Sequence, residues 1–75
     1  MEMRLGERIR SLRKERNISQ EVLAQNLGVT FQAVSKWENN SALPDTALIP
    51  SIALFFGVSI DRLFDINLLE TDKQV

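Results

Sequence analysis

The sequence contains no cysteine and no histidine, and these two absences exclude much of the site chemistry open to a small protein. Without cysteine there is no disulfide framework and no thiolate metal site. Without histidine the chain lacks the usual general base and the commonest metal ligand. No apolar run approaches the roughly 20 residues of a membrane helix, and the N-terminus MEMRLGERIR is not a signal peptide. We therefore expect a cytoplasmic protein with no metal, no cofactor, no membrane association and no evident small-molecule ligand.

The chain also lacks a large excess of either sign of charge, because its net charge is −1 and its pI is near 5.3. Nucleic-acid binding depends on Lys and Arg, so this balance argues against it at first. The charge is unevenly spread, however. Residues 1–16 hold six basic and three acidic side chains. Residues 17–40 hold one basic and two acidic side chains, and residues 41–75 hold two basic and five acidic ones. The N-terminal part, at +3, is therefore able to approach phosphates while the rest faces away. The weak overall charge predicts modest non-specific affinity.

The centre of the chain predicts two short helices joined by a tight turn. Ser19 is a good N-cap for a helix over Gln20–Leu27, and Thr30 is a good N-cap for a second helix over Phe31–Glu38. Gly28 lies between them and supplies the positive φ that other residues reach only with strain. Two helices joined in this way form a helix-turn-helix, whose second helix can enter a major groove.

Residues 4–16 predict an amphipathic first helix with one basic residue turned inward. Arg13 lies four residues after Ile9, on the apolar side, and Glu38 lies four residues after Val34, on the core side of its own helix. A charge that points inward normally needs a partner. We therefore predict a structural ion pair between Arg13 and Glu38, and we interpret the other basic residues of this helix as a solvated face.

The second half predicts two further helices, which makes the chain a single all-α domain of five helices. The fourth runs to about Phe56, and Pro50 interrupts its pattern. We expect either a loose first turn over 46–49 or a helix that begins near Ile49. The fifth is short, over Ile60–Phe64.

Three segments resemble the phage repressor and Cro type of helix-turn-helix, the XRE family. The segments LPD at 43–45 and FGVSIDRLF at 56–64 match its downstream parts, and the helix-turn-helix matches at Gln20, Ala24, Gly28, Val34, Lys36, Trp37 and Glu38. The resemblance covers roughly Leu5–Phe64. It implies a lambda-repressor-like DNA-binding domain over residues 1–68 with a short tail at 69–75, and a bridge like that of Arg13 and Glu38 recurs in the family.

The chain departs from that family at the end of the third helix, where Asn40 stands in place of the usual glycine. Asparagine is the next best residue in the left-handed conformation, so we expect the turn to form at a small cost. In the loop that follows, we expect Leu43 to turn into the core.

The third helix carries the predicted DNA site. One face of this helix carries Gln32, Ser35, Lys36 and Asn39, and it lies opposite Val34 and Trp37. The predicted base-reading residues are Phe31, Gln32, Ala33, Ser35 and Lys36. The predicted contacts to the sugar-phosphate backbone are Gln20, Thr30, Asn39 and Asn40, with Gln20 resting mostly on the resemblance. Taken alone, the polar stripe also fits an ordinary solvated surface, and Phe31 fits equally well a side chain packed against the second helix.

The C-terminal part has more apolar residues than one core needs. They either fold back onto the domain or form a subunit interface, and the residues concerned are Leu54, Phe55, Ile66, Leu68 and Leu69. The resemblance favours a homodimer on a roughly palindromic operator.

The function expected from these features is a sequence-specific DNA-binding transcriptional regulator, with repression favoured over activation. The alternative is a protein-interaction module on the same fold, antitoxin-like or adaptor-like, which the acidic pI and the apolar C-terminal surface support. An enzyme is a distant third, because the chain offers little with which to catalyse a reaction.

Overall fold

The computed structural model describes residues 5–64, and over that range the chain is helical without strands. The elements are α1 (Leu5–Glu15), α2 (Gln20–Leu27), α3 (Phe31–Glu38), a 3₁₀ turn (Thr46–Leu48), α4 (Ile49–Phe56) and α5 (Ile60–Phe64). The predicted all-α fold of five helices, with a helix-turn-helix at the second and third, is confirmed. The predicted domain end at residue 68 and the tail at 69–75 lie outside the described residues.

The helix-turn-helix begins and ends where its capping residues predict. The Ser19 hydroxyl accepts a hydrogen bond from the Val22 amide at 3.1 Å, and the Thr30 hydroxyl accepts one from the Ala33 amide at 3.2 Å. Gly28 has φ 73° and closes α2 in the left-handed conformation. Each cap satisfies an amide or carbonyl that a helix end leaves without a partner, so the two short helices have defined limits.

Asparagine supplies the left-handed conformation at two further helix ends. Asn17 has φ 56° and Asn40 has φ 66°. Asn17 terminates α1, which ends at Glu15, one residue before the predicted limit. Asn40 follows α3 as expected, and the Ser41 amide then donates to the Lys36 carbonyl at 2.8 Å. The short side chain of asparagine tolerates a conformation that most residues avoid, and this explains why two turns form without glycine.

The start of α4 combines the two outcomes that Pro50 left open. The 3₁₀ turn over Thr46–Leu48 is capped by Asp45, whose carboxylate accepts from the Ala47 amide at 3.0 Å. The α-helix then begins at Ile49, so Pro50 falls in its first turn. Proline is tolerated there because the first amides of a helix have no intrahelical acceptor.

One core joins all five helices. Each helix contributes one side chain that is 0% exposed, and these residues are Ile9, Leu23, Val34, Ile52 and Leu63. Ala24 is also buried, at the α2 position where close packing needs a small side chain. Burial of a Val, Leu or Ile side chain contributes about 1.5–3 kcal/mol, so this shared core is the main source of cohesion.

The prediction that Leu43 turns inward is wrong. Its side chain is 59% exposed, and the neighbouring Pro44 is buried instead. Successive side chains of an extended segment point in opposite directions, so the burial of Pro44 turns Leu43 outward. Leu43 lines the mouth of an open apolar groove of about 450 Å³ that Leu5 and Phe64 also border.

Gly6 sets the distance between α1 and α3. It is buried, and a Cβ atom at this position would overlap the Trp37 carbonyl oxygen and lie 2.9 Å from Oδ1 of Asn40. The two helices approach this closely only because the residue has no side chain. Gly6 belongs to no motif in the sequence, although a glycine inside a helical pattern often has a packing reason.

Candidate nucleic-acid interface

The outer face of α3 is open to solvent, while its inner face is fixed in the core. Gln32 and Lys36 are exposed, and Phe31 is 44% exposed. On the opposite side, Val34 is 0% and Trp37 5% exposed. The helix is thus held by one face, and it presents an amide, an ammonium group and an aromatic ring on the other.

Two residues of the predicted base-reading set lie at the edge of this face. Ser35 is half-buried, and Ala33 is half-buried and packs against the core. Phe31 keeps 44% of its surface accessible to solvent, while the rest is covered in the free protein. Of the five predicted residues, Phe31, Gln32 and Lys36 are therefore exposed to solvent, whereas Ala33 and Ser35 are less exposed.

A bidentate ion pair ties α1 to α3 behind this face. Arg13 Nε donates to Glu38 Oε2 at 2.7 Å and Nη2 donates to Oε1 at 2.9 Å. Arg13 Nη1 also donates to the Ile18 carbonyl at 2.8 Å. The two charged side chains are 12% and 5% exposed. The Glu38 hydrogen bond raises the pKa of the Arg13 guanidinium, so Arg13 stays charged and the predicted pair between these residues is present.

Gln20 completes this network, which the sequence did not indicate. Its Nε2 donates to Glu38 Oε1 at 3.1 Å, and the side chain is half-buried. One of its two amide hydrogens is thereby committed to Glu38 inside the protein. The three residues Gln20, Arg13 and Glu38 link α2, α1 and α3 in one hydrogen-bonded group.

The other predicted backbone contacts lie at the two ends of α3 and are exposed. Thr30 caps the start of the helix. At the other end, Asn39 Oδ1 accepts a hydrogen bond from the Ser41 amide at 3.0 Å, which fixes its side chain. Asn40 follows directly in its left-handed turn. These polar groups flank the outward face of the helix at both ends.

Arg16 is a structural residue whose role was not predicted from the sequence. Its Nη2 donates to the Phe56 carbonyl at 2.7 Å and its Nη1 donates to the Leu12 carbonyl at 3.1 Å. The guanidinium carbon also lies 5.4 Å from the centre of the Phe56 ring. A cation at the carboxyl end of α4 satisfies a free carbonyl and interacts favourably with the helix dipole. A basic residue near the end of an amphipathic helix gives no sequence signal for such a distant acceptor.

The predicted dimer surface is described only in part. Leu54 is 81% exposed on α4. Phe55 is half-buried and packs edge-on against Phe56, with ring centres 5.1 Å apart. The other residues of that prediction, Ile66, Leu68 and Leu69, lie outside the described residues.

Two other features, a membrane-spanning helix and a metal-binding cluster, are absent from residues 5–64. No helix in this range is both long enough and apolar enough to span a bilayer. In the same range, no three acidic, histidine or cysteine side chains come together in an arrangement that would hold a metal ion.

Comparison with known proteins decides the family. The helix-turn-helix family model matches residues 9–63. The chain belongs to the helix-turn-helix family. The predicted resemblance to the phage repressor and Cro type is thereby confirmed.

Among curated proteins, this helix-turn-helix chain is similar to the HTH-type transcriptional activator BcrR of Enterococcus faecalis. The two are 37% identical over 76 residues, which cover 96% of this chain and 37% of BcrR. The chain spans between about a third and about half of the length of the first curated relatives that it matches.

Among solved structures, the fold is similar to that of the P22 c2 repressor in complex with a synthetic operator. The TM-score is 0.77 at 31% identity, over 87% of this chain and 97% of that one. SinR, described as a master regulator of biofilm formation and also solved with DNA, gives a TM-score of 0.73 at 31% identity, over 81% of this chain and 98% of its own.

Proposed function

We propose that this helix-turn-helix protein is a sequence-specific transcriptional regulator that binds double-stranded DNA with α3 in the major groove. The observation that carries the proposal is the outward face of α3. Phe31, Gln32 and Lys36 are accessible there, while the opposite face is buried and tied to α1 and α2. A short helix held in this way can approach base edges without losing its own packing.

The outward side chains suit base recognition. Gln32 can form a bidentate pair with adenine, and Lys36 can donate to guanine O6 and N7. The ring of Phe31 has no donor and fits the methyl group of thymine. Each good bidentate contact discriminates by about 1–3 kcal/mol between the right and the wrong base. Ser35 and Ala33, with less exposed surface, take a smaller part at the edge of the groove.

The backbone contacts proposed here fix the position of α3 on the duplex. Thr30, Asn39 and Asn40 flank the helix ends and are exposed to solvent, and Gln20 has one amide hydrogen left beside Glu38. Contacts of this kind set register and orientation but carry little sequence information. Substitutions at these positions should weaken binding to all duplexes alike.

We also propose a homodimer on a roughly palindromic operator, an arrangement that suits a domain placing one helix in each half-site. Two copies related by a two-fold axis would place their α3 helices about 34 Å apart, which is one turn of DNA. Leu54 supports a subunit contact, since an exposed leucine on α4 is available for one. We propose repression in the cytoplasm, because a domain that occupies a promoter excludes other proteins by its volume alone.

The second candidate is a protein-interaction module on the same fold, antitoxin-like or adaptor-like. The exposed Leu54 and the acidic C-terminal part favour it, since both suit a protein partner better than a phosphate backbone. This candidate predicts no binding to DNA even at low salt.

Selection of bound sequences from a random DNA pool tests the proposal. We expect an enriched, roughly two-fold symmetric sequence whose half-site spacing reports the oligomeric state. Lys36→Ala and Gln32→Ala should each lower affinity for the selected site by about 5- to 150-fold, the equivalent of one base contact. Gln25→Ala removes an equally exposed glutamine from α2 and serves as the control. No enrichment, together with no binding to random duplex at low salt, would favour the second candidate.

A further inference from the structure

A polar notch of about 350 Å³ opens where α1, the start of α2 and the end of α3 meet. The side chains that border it are Arg10, Lys14, Gln20, Ser35 and Asn39, together with the buried pair of Arg13 and Glu38. Ser35 and Asn39 belong to the edge of the α3 surface proposed to meet DNA. The notch is therefore continuous with that surface, and α1 forms its other wall.

The notch carries an excess of two positive charges. Its ionisable groups are Arg10, Arg13, Lys14 and Glu38, and the bidentate pair of Arg13 with Glu38 cancels one charge of each sign. Arg10 and Lys14 remain. Both are exposed, and neither has a hydrogen bond or an ion pair to any other residue between 5 and 64.

The two free cations lie on one side of α1. They are four residues apart, so their side chains project about 40° from each other around the helix. Arg8, by contrast, projects on another side and donates to the Arg62 carbonyl at 3.2 Å. The basic residues Arg8 and Arg13 of α1 thus hold the fold, whereas Arg10 and Lys14 face the notch without a partner among residues 5–64.

We propose that the notch binds one backbone phosphate of the DNA strand beside the groove that α3 enters, with Arg10 and Lys14 as its charged contacts. This rests on the proposed DNA binding and assigns α1 a part in it, in place of a solvated face. Two cations with a hydroxyl and an amide beside them form a site for an anion with several acceptor oxygens. Among residues 5–64, the only carboxylate that lines the notch is that of Glu38, and its pairing with Arg13 weakens its repulsion of a phosphate.

The salt dependence of binding tests the proposal. Affinity for the selected site and for a random duplex is measured at several NaCl concentrations for Arg10→Gln and Lys14→Gln. Since the two side chains neutralise one phosphate, the variant with both changes should lower the slope of log K against log salt by about 0.9 per bound protomer, and each single variant by a part of that. Both variants should weaken the two duplexes by the same factor, because a phosphate contact does not read sequence. Lys14→Arg should retain most of the wild-type slope.

Arg62→Gln is the matched control, since it removes one exposed cation from α5. Its slope should equal that of the wild type. If Arg62→Gln lowers the slope as much as the notch variants do, net charge alone acts. If Arg10→Gln and Lys14→Gln keep the wild-type slope, the notch holds no phosphate. Either result overturns the proposal. Failure of the wild-type protein to bind any duplex would instead overturn the proposed function.

Methylphosphonate substitution locates the contact on the DNA. Neutral linkages are placed at one phosphate at a time in the selected site. At one position per half-site, the loss of affinity should not add to the loss caused by Arg10→Gln, whereas elsewhere the two losses should add. Additivity at every position would contradict the proposal. Competition by inorganic phosphate at constant ionic strength would also contradict it, because it would identify a site for a free anion.

Discussion

The two halves of this domain share one core but are held by different forces. α1, α2 and α3 are joined by a buried hydrogen-bonded network in which Gln20 and Arg13 both donate to Glu38. α4 and α5 bury only apolar side chains, among them Ile52 and Leu63. Across the boundary between the halves, Arg8 and Arg16 donate to backbone carbonyls.

The difference separates orientation from cohesion. Apolar burial is non-directional, so it sets which face of a helix turns inward but constrains the exact rotation less tightly than a hydrogen bond does. Hydrogen bonds to a buried carboxylate have defined lengths and angles, and those to Glu38 fix α3 about its own axis. The half that presents the proposed DNA-binding surface is therefore the half with directional contacts.

Glu38→Ala should cause the largest loss of stability, and it tests whether the hydrogen bonds to Glu38 orient α3. It leaves the partly buried Arg13 guanidinium without its charged partner. Removal of one member of a fully buried pair costs about 3–5 kcal/mol, so the loss here should approach the lower end of that range. Urea unfolding measures this loss. At low temperature, where the variant is still folded, its affinity for DNA should fall further than the folded fraction explains, because α3 has lost its link to α1.

Ile52→Ala is the matched variant in the other half. Truncation of a buried isoleucine costs about 2–5 kcal/mol, so this variant should be destabilised about as much as Glu38→Ala. The contacts that orient α3 remain. Its folded fraction should bind DNA as the wild type does. If both variants lose DNA affinity only in proportion to unfolding, the distinction between orientation and cohesion is wrong. If Glu38→Ala does not fold, the milder Glu38→Gln replaces it in the same comparison.

Gly6→Ala should cause the next largest loss of stability, although a change from glycine to alanine inside a helix usually increases stability. Alanine normally favours a helix over glycine by up to about 1 kcal/mol. Here its Cβ would overlap the Trp37 carbonyl oxygen, so α1 and α3 must move apart. Overpacking of this kind costs about 1–3 kcal/mol, which thermal unfolding would report as a lower Tm. Ser11→Ala, at an exposed position of α1, should leave Tm nearly unchanged, whereas a higher Tm for Gly6→Ala would contradict the close approach.

The sequence predicted those parts of the fold that depend on local chemistry. The caps Ser19 and Thr30 and the turn at Gly28 each act within a few residues, so α2 and α3 have their predicted limits. The inward direction of Arg13 and Glu38 followed from helical spacing. A charge on the core side has few ways to be satisfied, so their pairing was predictable as well.

The contacts that the sequence did not predict depend on positions far apart in the chain. Gln20 meets Glu38 and Arg16 meets the Phe56 carbonyl only after the helices have packed, and local spacing carries no signal of either. The exposure of Leu43 depends on which of two adjacent apolar residues enters the core. The notch between α1 and α3 is also formed by packing, which is why Arg10 and Lys14 looked like an ordinary solvated face.

Leu54→Gln should have the smallest effect on folding and a clear effect on assembly. Its side chain is 81% exposed, and a substitution at such a position changes stability by no more than about 0.5 kcal/mol. If α4 forms the proposed two-fold contact, each protomer buries a leucine there. The loss of that burial, about 1.5 kcal/mol or more for each side chain, should weaken dimerisation at least tenfold in sedimentation equilibrium.

Val22→Thr is the control for this last comparison, since Val22 is a partly exposed apolar residue on α2, in the other half of the domain. It should leave self-association unchanged. A wild-type protein that stays monomeric at all concentrations would exclude the α4 contact, and so would a dimer that Leu54→Gln does not weaken. If Leu54→Gln abolishes the dimer but the isolated protomer keeps its affinity for a single half-site, then the apolar half serves assembly and the hydrogen-bonded half serves recognition.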